Sequence, residues 1–276
     1  MIFVLMIIRA ASNFVRRFRR TPGQRPGPPT SLPESTGVMV HALHKSASMF
    51  LHQFFEDLCR RSKTDYVSIH HPDADQQTVA EARETSFVWC PLRTFDVSPT
   101  PFPRVRRCLR IFQVRDPRDI LVSEYFSLGW RHSDANWSAD AKRRRAEIQK
   151  MTIDEFVLTE SHTGKPPLVD RMAPVCSAMA SETACVVKYE TMVTDFSTWL
   201  GQVIPHCGFS NAERLTRFLA NKYRNEFTPD KDSNGHKRAI QPGDHRNQLQ
   251  PETIDALNQR FGLILGELGY ASLNRS

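Results

Sequence analysis

The chain has 276 residues, of which 40% are hydrophobic and 24% are charged, as is usual for a globular protein with one sizeable core. Its formal net charge of +7 comes from the N-terminus, because residues 1–33 contain six arginines and no acidic residue, and 31 basic residues remain elsewhere against 30 acidic ones. A nucleic-acid-binding domain carries its basic residues on the folded body, so this distribution argues against nucleic acid as a partner.

The N-terminal residues predict a basic tail and a linker. Residues 1–8 are apolar, arginines follow, and prolines and glycines are frequent over residues 21–36. Eight apolar residues are far fewer than the roughly 20 that span a bilayer. A disordered start, a basic amphipathic helix on a membrane surface and a truncated anchor all remain open. We therefore expect a tail and linker over 1–36, a single folded domain over 37–276, and a cytoplasmic protein with peripheral membrane contact as one option.

Beyond the linker, short apolar runs alternate with segments of helical periodicity. The predicted strands cover 38–43, 66–70, 86–90, 109–114 and 184–189. The predicted helices cover 46–61, 118–128, 139–160, 192–206, 211–222 and 251–268. This alternation predicts an α/β fold with a mostly parallel sheet covered by helices, in which ligands bind at the carboxyl ends of the strands.

The first candidate site lies between the first strand and the first helix, in the stretch His44-Lys-Ser-Ala-Ser-Met-Phe-Leu51. A helix start offers free backbone N–H groups and the positive end of the helix dipole, which together bind anions. Lys45 adds a positive charge, and Ser46 and Ser48 add hydroxyl donors. The glycines of a Walker A loop are absent, and by itself the stretch is equally compatible with an ordinary helix start.

The second candidate site follows the strand at 109–114, where the sequence reads Arg115-Asp-Pro-Arg-Asp. The strand ends at Arg115, and Asp116-Pro117 begins a helix. Ser123 lies two turns along that helix, so it can share a ligand with Arg115. A guanidinium and a hydroxyl in this arrangement suit a phosphate group.

Together, these motifs resemble the sulfotransferase superfamily, whose donor is 3′-phosphoadenosine 5′-phosphosulfate (PAPS). The first resembles the family's 5′-phosphosulfate loop, commonly Pro-Lys-Ser-Gly-Thr-Thr-Trp-Leu, and the second its 3′-phosphate motif. Two further segments match in order, Val187-Lys-Tyr-Glu-Thr-Met192 and Arg238 with Gly243-Asp-His-Arg-Asn247. The resemblance covers residues 37 to 270 and implies a P-loop-like three-layer α/β fold.

The resemblance also implies roles for individual residues. Lys45 would stabilise charge on the bridging and leaving oxygens, and the donor loop would comprise Lys45, Ser46, Ala47, Ser48, Met49 and Phe50. Arg115, Ser123 and Arg238 would hold the 3′-phosphate, Tyr189 would line the adenine pocket, and Gly243 would belong to the C-terminal donor loop. Met49 stands where the family has a hydroxyl residue and Ala47 where it has glycine, so a divergent branch is expected.

The general base that would accept the proton of the acceptor is less well defined. The family's cytosolic members place a histidine after the third strand, but residues 88–96 contain none. Other branches place the base after the second strand, where this chain has His70 and His71. These two histidines are the favoured candidates, Asp96 is a further one, and a solvated loop is the alternative for the histidine pair.

The family needs no metal, and neither the six cysteines nor any other residues show metal-ligand spacing. The expected acceptor is a small molecule, lipid or carbohydrate with a hydroxyl or amine. Aromatic walls for its pocket are offered by Phe95, Phe102, Phe126, Trp130, Trp137 and Phe156, although each such residue is more often part of a core than of a pocket. A P-loop kinase and a non-catalytic nucleotide-binding relative are the alternatives. The oligomeric state is left open.

Overall fold

A computed structural model of the chain describes residues 36–68, 86–95, 107–131, 138–163, 166–227 and 241–270. These residues divide into two compact units, one formed from 36–113 and 181–224 and the other from 114–180 and 225–270. Of the predicted tail and linker only Thr36 is described, and it already belongs to the first strand.

The first unit is built on a parallel five-stranded sheet in the order β2-β3-β1-β4-β5. The strands are β1 (Thr36–Ala42), β2 (Asp65–Val67), β3 (Phe87–Leu92), β4 (Arg107–Val114) and β5 (Ala184–Lys188). Every residue of β1 and β3 is buried, which explains why both appear in the sequence as continuous apolar runs. The predicted mostly parallel sheet with flanking helices is confirmed.

Four helices complete the first unit: α1 (Ser48–Ser62), α6 (Tyr189–Thr194), α7 (Phe196–Cys207) and α8 (Ala212–Lys222). The α1 helix packs on β2 and β3, and α8 packs on α1 and α7. The helix predicted for 192–206 was wrong in its start, because the chain is already helical from Tyr189 and breaks at Asp195. The Asp195 carboxylate accepts a hydrogen bond from the backbone N–H of Thr198 at 3.0 Å and thereby caps α7.

The described part of the second unit is helical. Its α-helices are α2 (Pro117–Phe126), α3 (Ala139–Ile148), α4 (Ile153–Thr163), α5 (Leu168–Ala178), α9 (His245–Gln248), α10 (Pro251–Arg260) and α11 (Gly262–Glu267), with a π-helical turn at Ser127–Arg131. Both α4 and α9 pack on α2.

Two long helices predicted for this unit were wrong. The helix predicted for 139–160 is broken between Ile148 and Ile153, and the one predicted for 251–268 is broken at Phe261. At the first break, the Thr152 backbone N–H donates to Glu155 Oε2 at 2.7 Å, and the Glu155 N–H donates to Thr152 Oγ1 at 3.2 Å. This reciprocal pair is a capping box that begins α4. Within the described residues, none of the helices is long and apolar enough to cross a membrane.

Candidate active site

The loop between β1 and α1 has an unusual backbone and leads into a helix start without a side-chain cap. Lys45 and Ala47 both adopt left-handed conformations, with φ values of 67° and 64°. Between them, the Ser46 N–H donates to the carbonyl oxygen of Leu43 at 3.1 Å. Ala47 precedes α1 without a side-chain cap, so no capping side chain occupies the first N–H groups of this helix. The loop therefore presents an uncapped helix start next to Lys45.

The hydroxyl of Ser46 is the most informative atom of this loop. Ser46 is fully buried, and its Oγ has no hydrogen-bond partner among the residues that the structure describes. Leaving a buried hydroxyl unpaired costs about 1–3 kcal/mol. A bound anion would give this oxygen an acceptor, and the residues of the loop therefore fit a phosphate or sulfate group.

The rest of the predicted donor loop divides between two environments. Ser48 is buried at the start of α1, whereas Met49 is 58% exposed. Phe50 packs against Tyr223 and Phe196, with ring centroids 5.3 Å and 6.0 Å away. This ring therefore belongs to the aromatic cluster of the first unit, and its contact with a nucleotide stays a prediction. Tyr189, the predicted adenine neighbour, is buried at the first position of α6 in the same unit.

The second motif lies in the second unit and differs from the first in its backbone. Arg115 is buried directly before α2, and Ser123 is half-buried along that helix. The α2 start is already capped, since Asp116 accepts a hydrogen bond from the Arg118 N–H at 2.9 Å. The phosphate contact predicted for this motif therefore rests on the side chains of Arg115 and Ser123, and it stays a prediction.

Gly243 lies in the same unit and is joined to α2. Its N–H donates to Asp119 Oδ2 at 2.7 Å, and its φ of 84° lies in the left-handed region that favours glycine. The motifs indicated the Gly243 segment but assigned no role to Asp119 or to His245. The His245 ring also contacts Asp119. That contact joins residues 126 positions apart, and the sequence carried no signal for it beyond the two motifs themselves.

The general base stays a prediction. His70, His71 and Asp96 lie outside the described residues, as does Arg238 of the predicted 3′-phosphate site. Near the described end of β2, His52 Nδ1 lies 2.7 Å from Tyr66 Oη and 3.3 Å from Ser68 Oγ. His52 is therefore a titratable group of this region that the sequence patterns did not single out. No group of His, Cys, Asp or Glu suited to a metal ion occurs in the described ranges.

Comparison with solved structures identifies the fold. Mouse sulfotransferase SULT7A1 complexed with PAP matches with a TM-score of 0.61 and 14% sequence identity, over 88% of this chain and 91% of that one. Retinol dehydratase in a complex with retinol and PAP matches with a TM-score of 0.54 and 14% identity, over 98% and 87%. Retinol dehydratase with androsterone and PAP gives 0.51 and 14% identity, over 94% and 84%. No family model and no curated protein matches the chain. The chain has the sulfotransferase fold, as the resemblance of its motifs predicted.

Proposed function

We propose that this chain is a sulfotransferase that transfers a sulfuryl group from PAPS to a hydroxyl or amine. The observation that carries the proposal is the loop after β1, where an uncapped helix start, a left-handed Lys45 and the unpaired buried hydroxyl of Ser46 occur together. These features fit an anionic ligand. The fold is that of enzymes crystallised with PAP, the product of PAPS, which supports PAPS as that ligand.

The donor supplies an activated sulfuryl group, so the protein has to align the reactants and stabilise charge. Lys45 would stabilise charge on the bridging and leaving oxygens. Ser46, Ser48 and the loop N–H groups would hold the 5′-phosphate and the sulfate. Arg115 and Ser123 would bind the 3′-phosphate, together with Arg238 of the C-terminal segment, and Tyr189 would line the adenine pocket.

The acceptor class rests on the aromatic side chains predicted as pocket walls, of which Phe102 and Trp137 lie outside the described residues. Of the predicted wall residues, Phe95 and Phe156 are fully buried and act as core, while Trp130 is 46% exposed and Phe126 is half-buried. The rings of Trp130 and Tyr125 lie 4.7 Å apart. An exposed aromatic surface of this kind suits an acceptor with an apolar body. The neighbouring retinol dehydratase has been crystallised with retinol and with androsterone, and a small apolar alcohol is therefore the first acceptor to test.

Calorimetric titration with PAP in the absence of magnesium tests the donor site. We expect micromolar binding by the wild type and loss of at least about tenfold in affinity for Arg115→Ala, because a hydrogen-bonded charge pair contributes about 1.5–3 kcal/mol. Arg143→Ala is the matched control, since Arg143 is exposed and pairs only with Asp140 among the described residues. Binding that requires magnesium and ATP would instead support the kinase alternative.

Transfer itself is tested with radiolabelled PAPS and a panel of small alcohols, phenols, amines and sugars. Lys45→Ala should bind PAP yet lower kcat by roughly 10²–10³, the usual cost of losing one charge-stabilising group. A wild type that binds PAP but transfers to none of these acceptors would favour the non-catalytic alternative.

A further inference from the structure

The first turn of α2 is joined to the C-terminal segment by one buried carboxylate. Asp119 is 1% exposed, and its two oxygens accept three hydrogen bonds from residues 243–245. Oδ2 accepts from the Gly243 N–H at 2.7 Å, while Oδ1 accepts from the His245 N–H at 3.0 Å and from His245 Nδ1 at 2.6 Å. His245 is buried as well. The carboxylate therefore fixes Gly243 and His245 of a distant segment on this helix.

These bonds define the charge and the tautomer of the pair. Burial raises the pKa of the Asp119 carboxyl, but the hydrogen bonds from His245 outweigh burial and hold that pKa below its usual range. An ionised carboxylate can only accept hydrogen bonds. His245 therefore carries a proton on Nδ1, and its ring acts as a donor to Asp119.

The backbone of Gly243 makes the double contact with Asp119 achievable. With φ at 84°, Gly243 directs its own N–H toward the same carboxylate that receives the N–H of His245 two residues later. A Cβ at this glycine would meet no atom within 4 Å. The glycine is thus required for its conformation and not for space.

The position of the pair relates it to the proposed donor site. Asp119 precedes Ser123 by four residues on α2, so the two side chains lie on one face of the helix, and Arg115 lies four residues before Asp119. A carboxylate between two phosphate-binding side chains would repel a phosphate if it were not compensated. Three N–H donors from residues 243–245 provide that compensation.

We propose that Asp119 and His245 are positioning residues for the 3′-phosphate of the donor, an inference that rests on the proposed function. The pair holds residues 243–245 against α2 and offsets the charge of Asp119 between Arg115 and Ser123. Neither residue is assigned a contact with the phosphate, so both act through their neighbours.

The test uses two ligands that differ only in the 3′-phosphate. Calorimetry measures the affinities of PAP and of 5′-AMP for the wild type, His245→Leu and His245→Asn. The leucine variant loses the ring donor, so its affinity for PAP should fall about tenfold or more while that for 5′-AMP changes less than about twofold. An asparagine amide can occupy the place of Nδ1, so His245→Asn should stay within about threefold of the wild type for both ligands.

Folding measurements and a wild-type comparison keep the outcomes separate. Circular dichroism and the melting temperature establish that each variant is folded, and Asp119→Asn replaces the leucine variant if that one is not. If a folded His245→Leu or Asp119→Asn variant keeps the wild-type ratio of PAP affinity to 5′-AMP affinity, the positioning role is overturned. A wild type that shows no preference for PAP over 5′-AMP overturns the proposed function itself. In a PAPS turnover assay, the leucine variant should raise KM for PAPS with little change in kcat.

Discussion

Arg118 donates three N–H groups to the carboxylate of Asp116, two residues before it in the chain. Its Nη2 donates to Oδ2 at 2.6 Å, and its Nε and backbone N donate to Oδ1 at 3.0 Å and 2.9 Å. Its Nη1 also donates to Asn258 at 2.6 Å, and Nη2 to the carbonyl oxygen of Tyr270 at 3.2 Å. The second arginine of the Arg-Asp-Pro-Arg motif thus holds the C-terminal helices on α2, and its guanidinium is engaged in structural hydrogen bonds.

Substitution of Arg118 should therefore reduce stability. Arg118→Ala removes both guanidinium donors from the buried Asp116 carboxylate and keeps only the backbone one of the three, so it should lower the free energy of unfolding by about 3–5 kcal/mol. Arg118→Lys keeps the charge but loses the forked geometry, and it should lie between the alanine variant and the wild type. Urea denaturation measures both, with Arg143→Ala as the control, because its pair with Asp140 is exposed and should contribute less than about 1 kcal/mol. An alanine variant as stable as that control would contradict the prediction.

Asp57 should make stability depend on pH. This buried α1 carboxylate accepts hydrogen bonds from Tyr223 Oη at 2.5 Å and from Lys222 Nζ. Burial raises the pKa of Asp57, but the hydrogen bonds from Lys222 and Tyr223 outweigh burial and lower that pKa. A carboxyl with a lowered folded-state pKa contributes stability that is present above its unfolded pKa of about 4 and is lost as pH falls through the folded value.

Asp57→Asn should accordingly cost about 1.5–3 kcal/mol of unfolding free energy at pH 7, the range for hydrogen bonds to a charged group. The difference from the wild type should shrink as pH falls below about 4. Urea denaturation at pH 7, 5 and 3 measures this dependence. Asp140→Asn, at an exposed carboxylate, should show little difference at any of these values, and a constant cost for Asp57→Asn across the series would refute the assignment.

The sequence allowed prediction of those parts of the fold that rest on local patterns. The continuous apolar runs predicted β1 and β3, and the helical spacing of Leu51, Phe54 and Leu58, all fully buried, predicted α1. The break before α4 was missed although Thr152 and Glu155 form a capping box, a signal that four residues of sequence contain. Helix α5 was missed as well, and it contains Pro174, a residue that disfavours a helix prediction.

In the candidate site too, only the features that rest on a short stretch of sequence could be predicted. The positive charge of Lys45 and the strand–loop–helix order are properties of a short stretch, so sequence alone indicated an anion site there. The pairing of Asp119 with His245 and the hydrogen bond from the Gly243 N–H to Asp119 require segments more than 120 residues apart to meet. Hydrogen bonds of this kind depend on the tertiary structure, and one sequence contains no periodicity that reports them.

Ala47 should tolerate glycine with a gain in stability. Its φ of 64° is a left-handed conformation that costs a non-glycine residue about 1–3 kcal/mol. Glycine relieves this strain, but its greater conformational freedom in the unfolded chain offsets part of the stability gained. We expect Ala47→Gly to raise the free energy of unfolding by roughly 0.5–1 kcal/mol and to preserve PAP binding. Ala146→Gly, on the exposed side of α3, is the matched control and should lower stability by about 1 kcal/mol. Equal losses in both variants would mean that Ala47 is not strained.

Ser46 should show opposite effects on stability and on binding. Its buried hydroxyl lacks a partner among the described residues, so Ser46→Ala removes an unfavourable group and should raise the free energy of unfolding by about 1 kcal/mol in the absence of ligand. The same change removes a donor to the proposed 5′-phosphate and should weaken PAP binding about tenfold. Thermal or urea denaturation without ligand and calorimetry with PAP measure the two effects separately.

The control for Ser46 is Ser62, another buried serine, whose Oγ donates to Thr64 Oγ1 at 3.0 Å. Ser62→Ala should reduce stability by about 1 kcal/mol, because it removes a hydrogen bond that is made, and should leave PAP affinity unchanged. If Ser46→Ala behaved like Ser62→Ala, its hydroxyl would be a structural group and the β1–α1 loop would lose its strongest support as a donor site. A stabilised Ser46→Ala that binds PAP weakly would mean that the loop retains an unpaired hydroxyl in the free protein because the bound donor requires it.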